Sequence, residues 1–347
     1  YVKQPAAVIK NLGLIAPDVM AEGASNVGSL VGYLDEGAIV NCYAAGGSIS
    51  GKKSVGGMVG YNKAGAITGC YVTSRVSGDE EIGGLVGYLR GTIDNCCAKG
   101  GVSGNLRIGG LVGRSSSGSI TNSMASGRVS GQGRNVGGLA GESSGSVANS
   151  CAWGDVSGDS TVGGLVGSNS GTVACSYSSG SVSGQGNTGG LVGSNRSTVS
   201  NCYATGGVTG DAAVGGLAGV NTWPAKILYC YSIGAVGGTT YVGGLVGFND
   251  EAVIKTSFWD TGTSGRNSMC GRDRYGTGCD DASGKATAGM QSKDTFFRAG
   301  WDFVAQSANG ADNIWTICEG SGYPQFGWQF RMGDFNGDTQ VDFADFA

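Results

Sequence analysis

A six-residue phrase, V-G-G-L-V-G with small variations, recurs nine times along this chain and limits what it can fold into. Its central Leu or Met falls at Leu30, Met58, Leu85, Leu111, Leu139, Leu165, Leu191, Leu217 and Leu245, with gaps of 26 to 28 residues. That period suits one turn of a solenoid, whereas propeller blades need about 40 residues or more. Two further phrases fill each unit. One reads I/V-x-N-C/S-Y, from Ile39 to Tyr43, Ile67 to Tyr71, Ile93 to Cys97 and so on to Ile254 to Phe258. The other reads G-x-V-S-G, with its apolar residue at Ile49, Val76, Val102, Val129, Val156, Val182, Val208 and Val236. Each unit thus holds three short β-prone segments punctuated by Gly, Asn, Asp or Ser, and none carries the i, i+3, i+4 spacing of an amphipathic helix. Three such strands bury no apolar face alone, but equivalent strands of successive units can stack in parallel and share a core. The expected fold is all-β: a right-handed parallel β-helix, a three-sided β-solenoid of about nine turns of 26 to 28 residues. At ~4.8 Å per turn it would be a rod roughly 43 Å long.

Composition agrees with order rather than with a flexible linker. Gly accounts for 70 of 347 residues, yet the chain is 40% hydrophobic and keeps Val, Leu, Ile and Tyr at regular intervals; a disordered Gly/Ser tract would lack them. The net charge of −4 comes without basic runs, which argues against nucleic acid or an anionic membrane surface as a partner. No stretch reaches the 18 or so apolar residues of a transmembrane helix, so membrane insertion is not expected. The start at Tyr1, without a Met or a signal-like segment, reads as a mature or trimmed end. His is absent, which removes the commonest general base and metal ligand. G-G-L-V-G resembles a phosphate loop superficially, but such a site needs one strand, one glycine turn and one helix start, not nine copies. Corners and close backbone approach explain the glycines.

The second phrase is informative column by column. Asn41, Asn95, Asn122, Asn149 and Asn201 share a position, which predicts a corner in the left-handed conformation with amides bonding along the rod. The next column is always small, from Cys42, Cys70 and Cys96 through Ser123, Ser150 and Ser176 to Cys202, Cys230 and Ser257, and should point inward. The column after it is larger, with Tyr43, Tyr71, Tyr177, Tyr203, Tyr231 and Phe258 among its members; alternation puts it outside as an aromatic stripe. The stripe reads either as self-stacking ladder residues or as a surface for a glycan or another filament. Eight of the eleven cysteines lie in repeat columns and read as buried packers. Among the other three, Cys270, Cys279 and Cys318, a Cys270 to Cys279 bridge is expected, and the spacing fits no zinc pattern.

Three regions follow: a repeat solenoid over 1–260, a non-repeat cap over 261–332 and a tail over 333–347. Ile9-Lys10-Asn11-Leu12 echoes Ile39-Val40-Asn41-Cys42, so the repeat is entered in mid-turn. The cap should hold a short helix from Lys293 to Ala299 and a core of Trp301, Phe303, Trp315, Tyr323, Phe326, Trp328 and Phe330, or else present these rings as a carbohydrate platform. In the tail, counting from Asp334, oxygen ligands fall at positions 1, 3, 5, 9 and 12 with a backbone carbonyl at 7, which is the spacing of a calcium loop. The candidate Ca2+ ligands are Asp334, Asn336, Asp338, Gln340, Asp342 and Asp345; Thr339 stands where the sharp turn prefers Gly, and Asp345 where the loop has Glu.

The unit G-G-L-V-G…N-C-Y-A-x-G-x-V-S-G resembles the GLUG repeat of bacterial surface and secreted proteins over residues 27 to 260. The tail is similar to half of a type I dockerin, with one calcium loop where a dockerin has two. The resemblance implies an extracellular or cell-surface, non-catalytic repeat array. On this reading the chain is a rod or fibre subunit that self-associates end to end as a homopolymer, with calcium at the C-terminal junction. The alternatives are a carbohydrate-binding adhesin for a surface glycan, a cohesin-docked module, and, last, a polysaccharide-degrading β-helix enzyme. Against the enzyme, Asp79, Asp159 and Asp211 share one turn column and read as turn formers, and Asp155 is a lone strand-end acid. No catalytic residue is assigned.

Overall fold

The computed structural model of the chain describes residues 1–276 and 278–330. It is an all-β parallel solenoid of about ten coils. One coil represents the rest: β1 Val59–Asn62, β2 Ala66–Thr68, β3 Tyr71–Val72, β4 Arg75–Ser77 and β5 Glu80–Gly83. Each strand pairs in parallel with its equivalents one coil before and after, as in Val59↔Val86 and Ile67↔Ile93. The β1 and β2 ladders are ten strands each. The β4 and β5 ladders merge into a sixteen-stranded sheet, because in the first coils single strands, Asp18–Gly28 and Ser48–Gly56, run through both positions.

The three-sided expectation is therefore corrected to five strands per coil around two cores. Ladders β1, β2 and β3 enclose the larger core, with Val59, Ile67, Cys70, Val72 and the corner residue Leu85 fully buried. Ladders β4 and β5 face one another over a second, narrow core built mainly of Val76, Ile82, Val102, Ile108 and their equivalents. The phrase V-G-G-L-V-G is two strands: Ile82 and Gly83 close β5, Gly84 and Leu85 turn the corner, and Val86 opens the next β1. The sequence period shows one apolar residue per β4 strand, too little for alternation to mark a second core. The first coil begins early, as its echo in the sequence suggests: Ile9 pairs with Ile39, and Asn11 has φ 54°.

The corner column behaves as expected from its asparagines. Asn41, Asn95, Asn122, Asn149 and Asn201 have φ between 48° and 51°, and Cys175, Tyr229 and Thr256 take the same conformation in coils without Asn. The amide ladder lies mostly elsewhere. Asn149 Nδ2 donates to Asn122 Oδ1 at 3.4 Å in the corner, but the longer chain is inside β1, from Asn169 to Asn195, Asn221 and Asn249 at 2.8, 2.9 and 3.0 Å. The small column following the corner has a more specific role than size. In most coils its backbone N–H reaches the next coil's side chain, as Cys42 N to Cys70 Sγ (3.4 Å) and Cys96 N to Ser123 Oγ (3.1 Å). The same side chain donates to a carbonyl two residues back, as Ser123 Oγ to Thr121 O at 2.7 Å. Only a small side chain that both donates and accepts satisfies that corner, so Ser and Cys interchange.

Strand Cys270–Asp273 extends the β1 ladder beyond Thr261–Ser264, a short helix capped by Asp260, and Cys270 is bonded to Cys279. The chain divides into compact units after Gly284. In the second unit the predicted helix covers Lys293–Phe297, and Trp301, Phe303, Trp315 and Phe326 are fully buried. Those four rings are a core, not an open carbohydrate platform.

Candidate functional site

Two columns of side chains flank a groove between the β5 and β1 ladders. The first comes from the second residue of β5, which is skipped in the pairing: Glu80 pairs with Leu106 and Ile82 with Ile108, while Glu81 and Arg107 stand out of the ladder. Asn26, Ser54, Glu81, Arg107, Asn135 and Thr161 occupy this bulge with φ between 52° and 62°. Such a bulge turns a side chain that would enter the strand face out toward the neighbouring ladder. The second column is the third residue of β1, running Tyr33, Tyr61, Tyr88, Arg114, Glu142, Ser168, Ser194, Val220 and Phe248 in unbroken register. Glycine lets the two ladders close on each other: a Cβ on Gly87 would meet the backbone carbon of Ser54 at 2.3 Å.

The groove changes chemistry along its length. Near the start, Tyr33 and Tyr61 meet edge to face and Tyr61 and Tyr88 pack tilted, at centroid distances of 4.8 and 4.7 Å, and the Arg114 guanidinium lies 5.5 Å above Tyr88. Next comes an ion-pair cluster. Arg107 bridges the ladders, with Nε 2.8 Å from Glu142 Oε2 and Nη1 on Glu80. The Glu81 side chain, 3% exposed, accepts from Ser54 Oγ at 2.7 Å and lies 3.5 Å from Arg114 Nη1. Burial tends to raise the Glu80 pKa, but hydrogen bonds from Lys53 and Arg107 outweigh it and hold the carboxyl below its ordinary value. Burial likewise tends to lower that of Arg107, and Glu142 and Glu80 raise it. Three cations, Lys53, Arg107 and Arg114, balance three carboxylates, Glu80, Glu81 and Glu142, so the cluster is neutral.

Beyond this cluster the groove opens into a cavity of about 430 Å³ with hydroxyl, amide and guanidinium groups on its wall. Farther on it turns apolar, with Tyr241 and Phe248 stacked at 5.8 Å beneath Arg272.

Among known families, the chain matches the GLUG motif over residues 104–130. The chain carries a GLUG motif. The matched segment holds Arg107 and Arg114 and spans one coil, whose phrases the other GLUG coils repeat. No curated protein matches the chain, and no solved structure does.

The aromatic stripe of the GLUG coils is a stack, as one of its two readings has it. Tyr43 and Tyr71 lie 5.1 Å apart, Tyr177 and Tyr203 4.9 Å, and Tyr203 and Tyr231 4.9 Å, with planes within 9° of parallel. Tyr43 and Tyr71 are half-buried, but Tyr177, Tyr203 and Tyr231 are 7, 3 and 1% exposed, so most of the stripe offers no open face. The acids behave as turn formers. Asp79, Asp159 and Asp211 each accept backbone N–H groups of the following coil at their carbonyls, and Asp155 Oδ1 accepts from Ser181 N at 3.0 Å. The calcium-loop residues Asp334, Asn336, Asp338, Gln340, Asp342 and Asp345 lie outside the described residues. Among the described residues no cluster of three or more His, Cys, Asp or Glu side chains could hold a metal.

The groove itself was not read from the sequence. Its signal is the variable position two residues after the Leu-Val of each phrase, Tyr in three coils and then Arg, Glu, Ser, Ser, Val and Phe. An outward column that varies beside a nearly invariant phrase is where a solenoid can place binding chemistry.

Proposed function

We propose that this chain is a non-catalytic structural protein of the cell surface or extracellular space, a rod of stacked coils that joins other copies end to end through its first coil. The observation that carries the proposal is that coil's open edge. Among the described residues, strands Val8–Lys10, Gly13–Ile15 and Asp18–Gly28 are paired on one side only, and Val8, Ile15 and Met20 are 55, 73 and 77% exposed. At the other end of the solenoid the β2, β4 and β5 ladders finish on Val253–Lys255, Val236–Gly237 and Thr240–Gly243. An unpaired parallel edge is a template for another strand, and head-to-tail repetition of such a contact gives a filament. The Cys270–Cys279 bond suits an oxidising compartment. The oxygen-only donor set from Asp334 to Asp345 suits calcium. The carboxylates of the groove all serve arginine or lysine, which favours a structural over a hydrolytic role.

The test is sedimentation velocity and electron microscopy over a range of protein concentrations, with calcium and with a chelator. Assembly that grows with concentration and is blocked by Ile15→Lys with Met20→Lys supports the proposal. Short monodisperse particles under every condition would sink it.

A further inference from the structure

We infer that the polar cavity in the groove between the β5 and β1 ladders is a binding site for an acidic oligosaccharide. This goes beyond the structural role and stands whether or not the rods assemble. Its basis is a set of hydroxyls on largely buried side chains that open onto the cavity and have no partner in the chain. Thr161, Ser168 and Ser194 are 8, 7 and 4% exposed and line the cavity, and among the described residues none of their hydroxyls makes a hydrogen bond within the chain. Elsewhere in the coils most buried hydroxyls are satisfied, as Ser123 Oγ by Thr121 O and Ser178 Oγ by Gly190 O, with Ser143 Oγ an exception. A buried polar side chain that faces a cavity and lacks a protein partner is suited to a ligand or water.

Charge narrows the ligand. Glu142, the acid on the wall, is engaged by Arg107 at 2.8 Å and by Asn135 Nδ2 at 3.1 Å. Arg134 and Arg196 are exposed at the cavity and form no ion pair among the described residues. The wall thus carries three arginines against one glutamate in a chain of net charge −4, so an anion is favoured here and not on the rest of the surface. Guanidinium groups bind carboxylate or sulfate through paired hydrogen bonds.

Repetition narrows it again. Glu142, Ser168 and Ser194 are in register on successive coils, and so are Arg134 and Ser160. Donors and acceptors therefore recur every ~4.8 Å along the groove, and an array repeated by translation matches a ligand that repeats by translation. The side-chain groups the cavity offers are chiefly hydroxyl, amide and guanidinium. It lacks the aromatic stacking platform of a single-strand nucleic acid groove and the apolar side-chain pockets of a peptide groove. A polymer dense in hydroxyls and bearing carboxylate or sulfate fits what remains.

Isothermal titration of the whole chain with oligogalacturonate, sulfated dextran oligomers, neutral malto-oligosaccharide and poly-glutamate tests the assignment. Binding of either acidic saccharide, weakening as NaCl is raised from 50 to 500 mM, is expected, with little or no binding of the neutral sugar or the peptide. Arg134→Ala and Arg196→Ala should each weaken it about tenfold, and Ser194→Ala severalfold. Both arginines are exposed, so circular dichroism of those variants should match the parent. No heat with either acidic saccharide at millimolar concentration, equal binding of the neutral sugar or of poly-glutamate, or unchanged affinity in both arginine variants would overturn the inference.

Discussion

Arg107 Nε lies 2.8 Å from Glu142 Oε2, joining the β5 ladder of one coil to the β1 ladder two coils on, across the groove. The same guanidinium serves Glu80 and stands 3.8 Å from Glu81. Removing it leaves three carboxylates with fewer cations and loosens the seam between the two cores. Because the side chains of Arg107, Glu80 and Glu142 are 21, 29 and 19% exposed, solvent screens part of the effect. Arg107→Ala should cost about 1–3 kcal/mol, more than Arg107→Lys, and hydrogen exchange should rise first in strands 80–83 and 106–109. A denaturation midpoint equal to that of the parent would show that the bridge is ornamental.

Acid should act on the same cluster. The folded Glu80 carboxyl titrates below its ordinary value: burial opposes this, and Lys53 and Arg107 prevail. Asp35 is also lowered, chiefly by its hydrogen bond from Lys63. A carboxyl whose pKa falls on folding contributes stability above its unfolded value, about 4, and loses it as pH falls through the folded value. Denaturation midpoints should be level from pH 8 to 5 and fall below about 4. Glu80→Gln should start lower at pH 7 and fall less steeply, and a parallel pair of curves would contradict the assignment.

The buried amide ladder offers a sharper test of polar satisfaction. Asn195 donates to Asn221 Oδ1 at 2.9 Å and accepts from Asn169 Nδ2 at 2.8 Å, and all three are fully buried. Asn195→Ala strands both neighbours and should cost about 2–4 kcal/mol. The same column holds Leu89 between Asn62 and Ser115, so apolar residues are admitted where the neighbours bond elsewhere. Asn62 does this by exchanging hydrogen bonds with Gly65. Urea unfolding of Asn195→Ala beside Leu89→Ala separates lost hydrogen bonds from lost volume.

Thiol chemistry should divide by burial. Burial pushes the Cys97 thiol up to about 11 and that of Cys151 to about 12, while Cys318 is exposed. The thiolate is the reactive form. A disulfide reagent at pH 8 should therefore label Cys318 quickly in the folded protein and leave Cys97 and Cys151 until the coils are unfolded, when nine thiols react in all. Mass mapping of the labelled sites decides this, and rapid labelling of Cys151 without denaturant would be the contrary result.

Much of the solenoid was legible because each coil repeats the same local problem. Asn41 and its equivalents announced a left-handed corner, and the Cys and Ser column announced an inward position. Ile9 to Leu12 announced the early start of the first coil. The number of sides was not legible. A β4 strand with Val76 as its one buried apolar residue shows no alternation, and its membership of a second core depends on Ile82 facing it across the coil. The groove was hidden for a related reason: Glu81, Arg107 and Asn135 sit in strands where alternation predicts nothing special, and a bulge turns them out.

The sequence by itself determined the period, the parallel stacking and the side chains that face inward, because a repeat that cannot bury its apolar face alone must bury it against its own copies. Tertiary structure decided which outward residues meet. Arg107 and Glu142 are 35 residues apart and Thr161 and Ser194 are 33 apart, separations set by how one ladder folds back on another. That closure depends on backbone approach at Gly87 and its equivalents, where the absence of a Cβ fixes a distance that no single coil's sequence specifies.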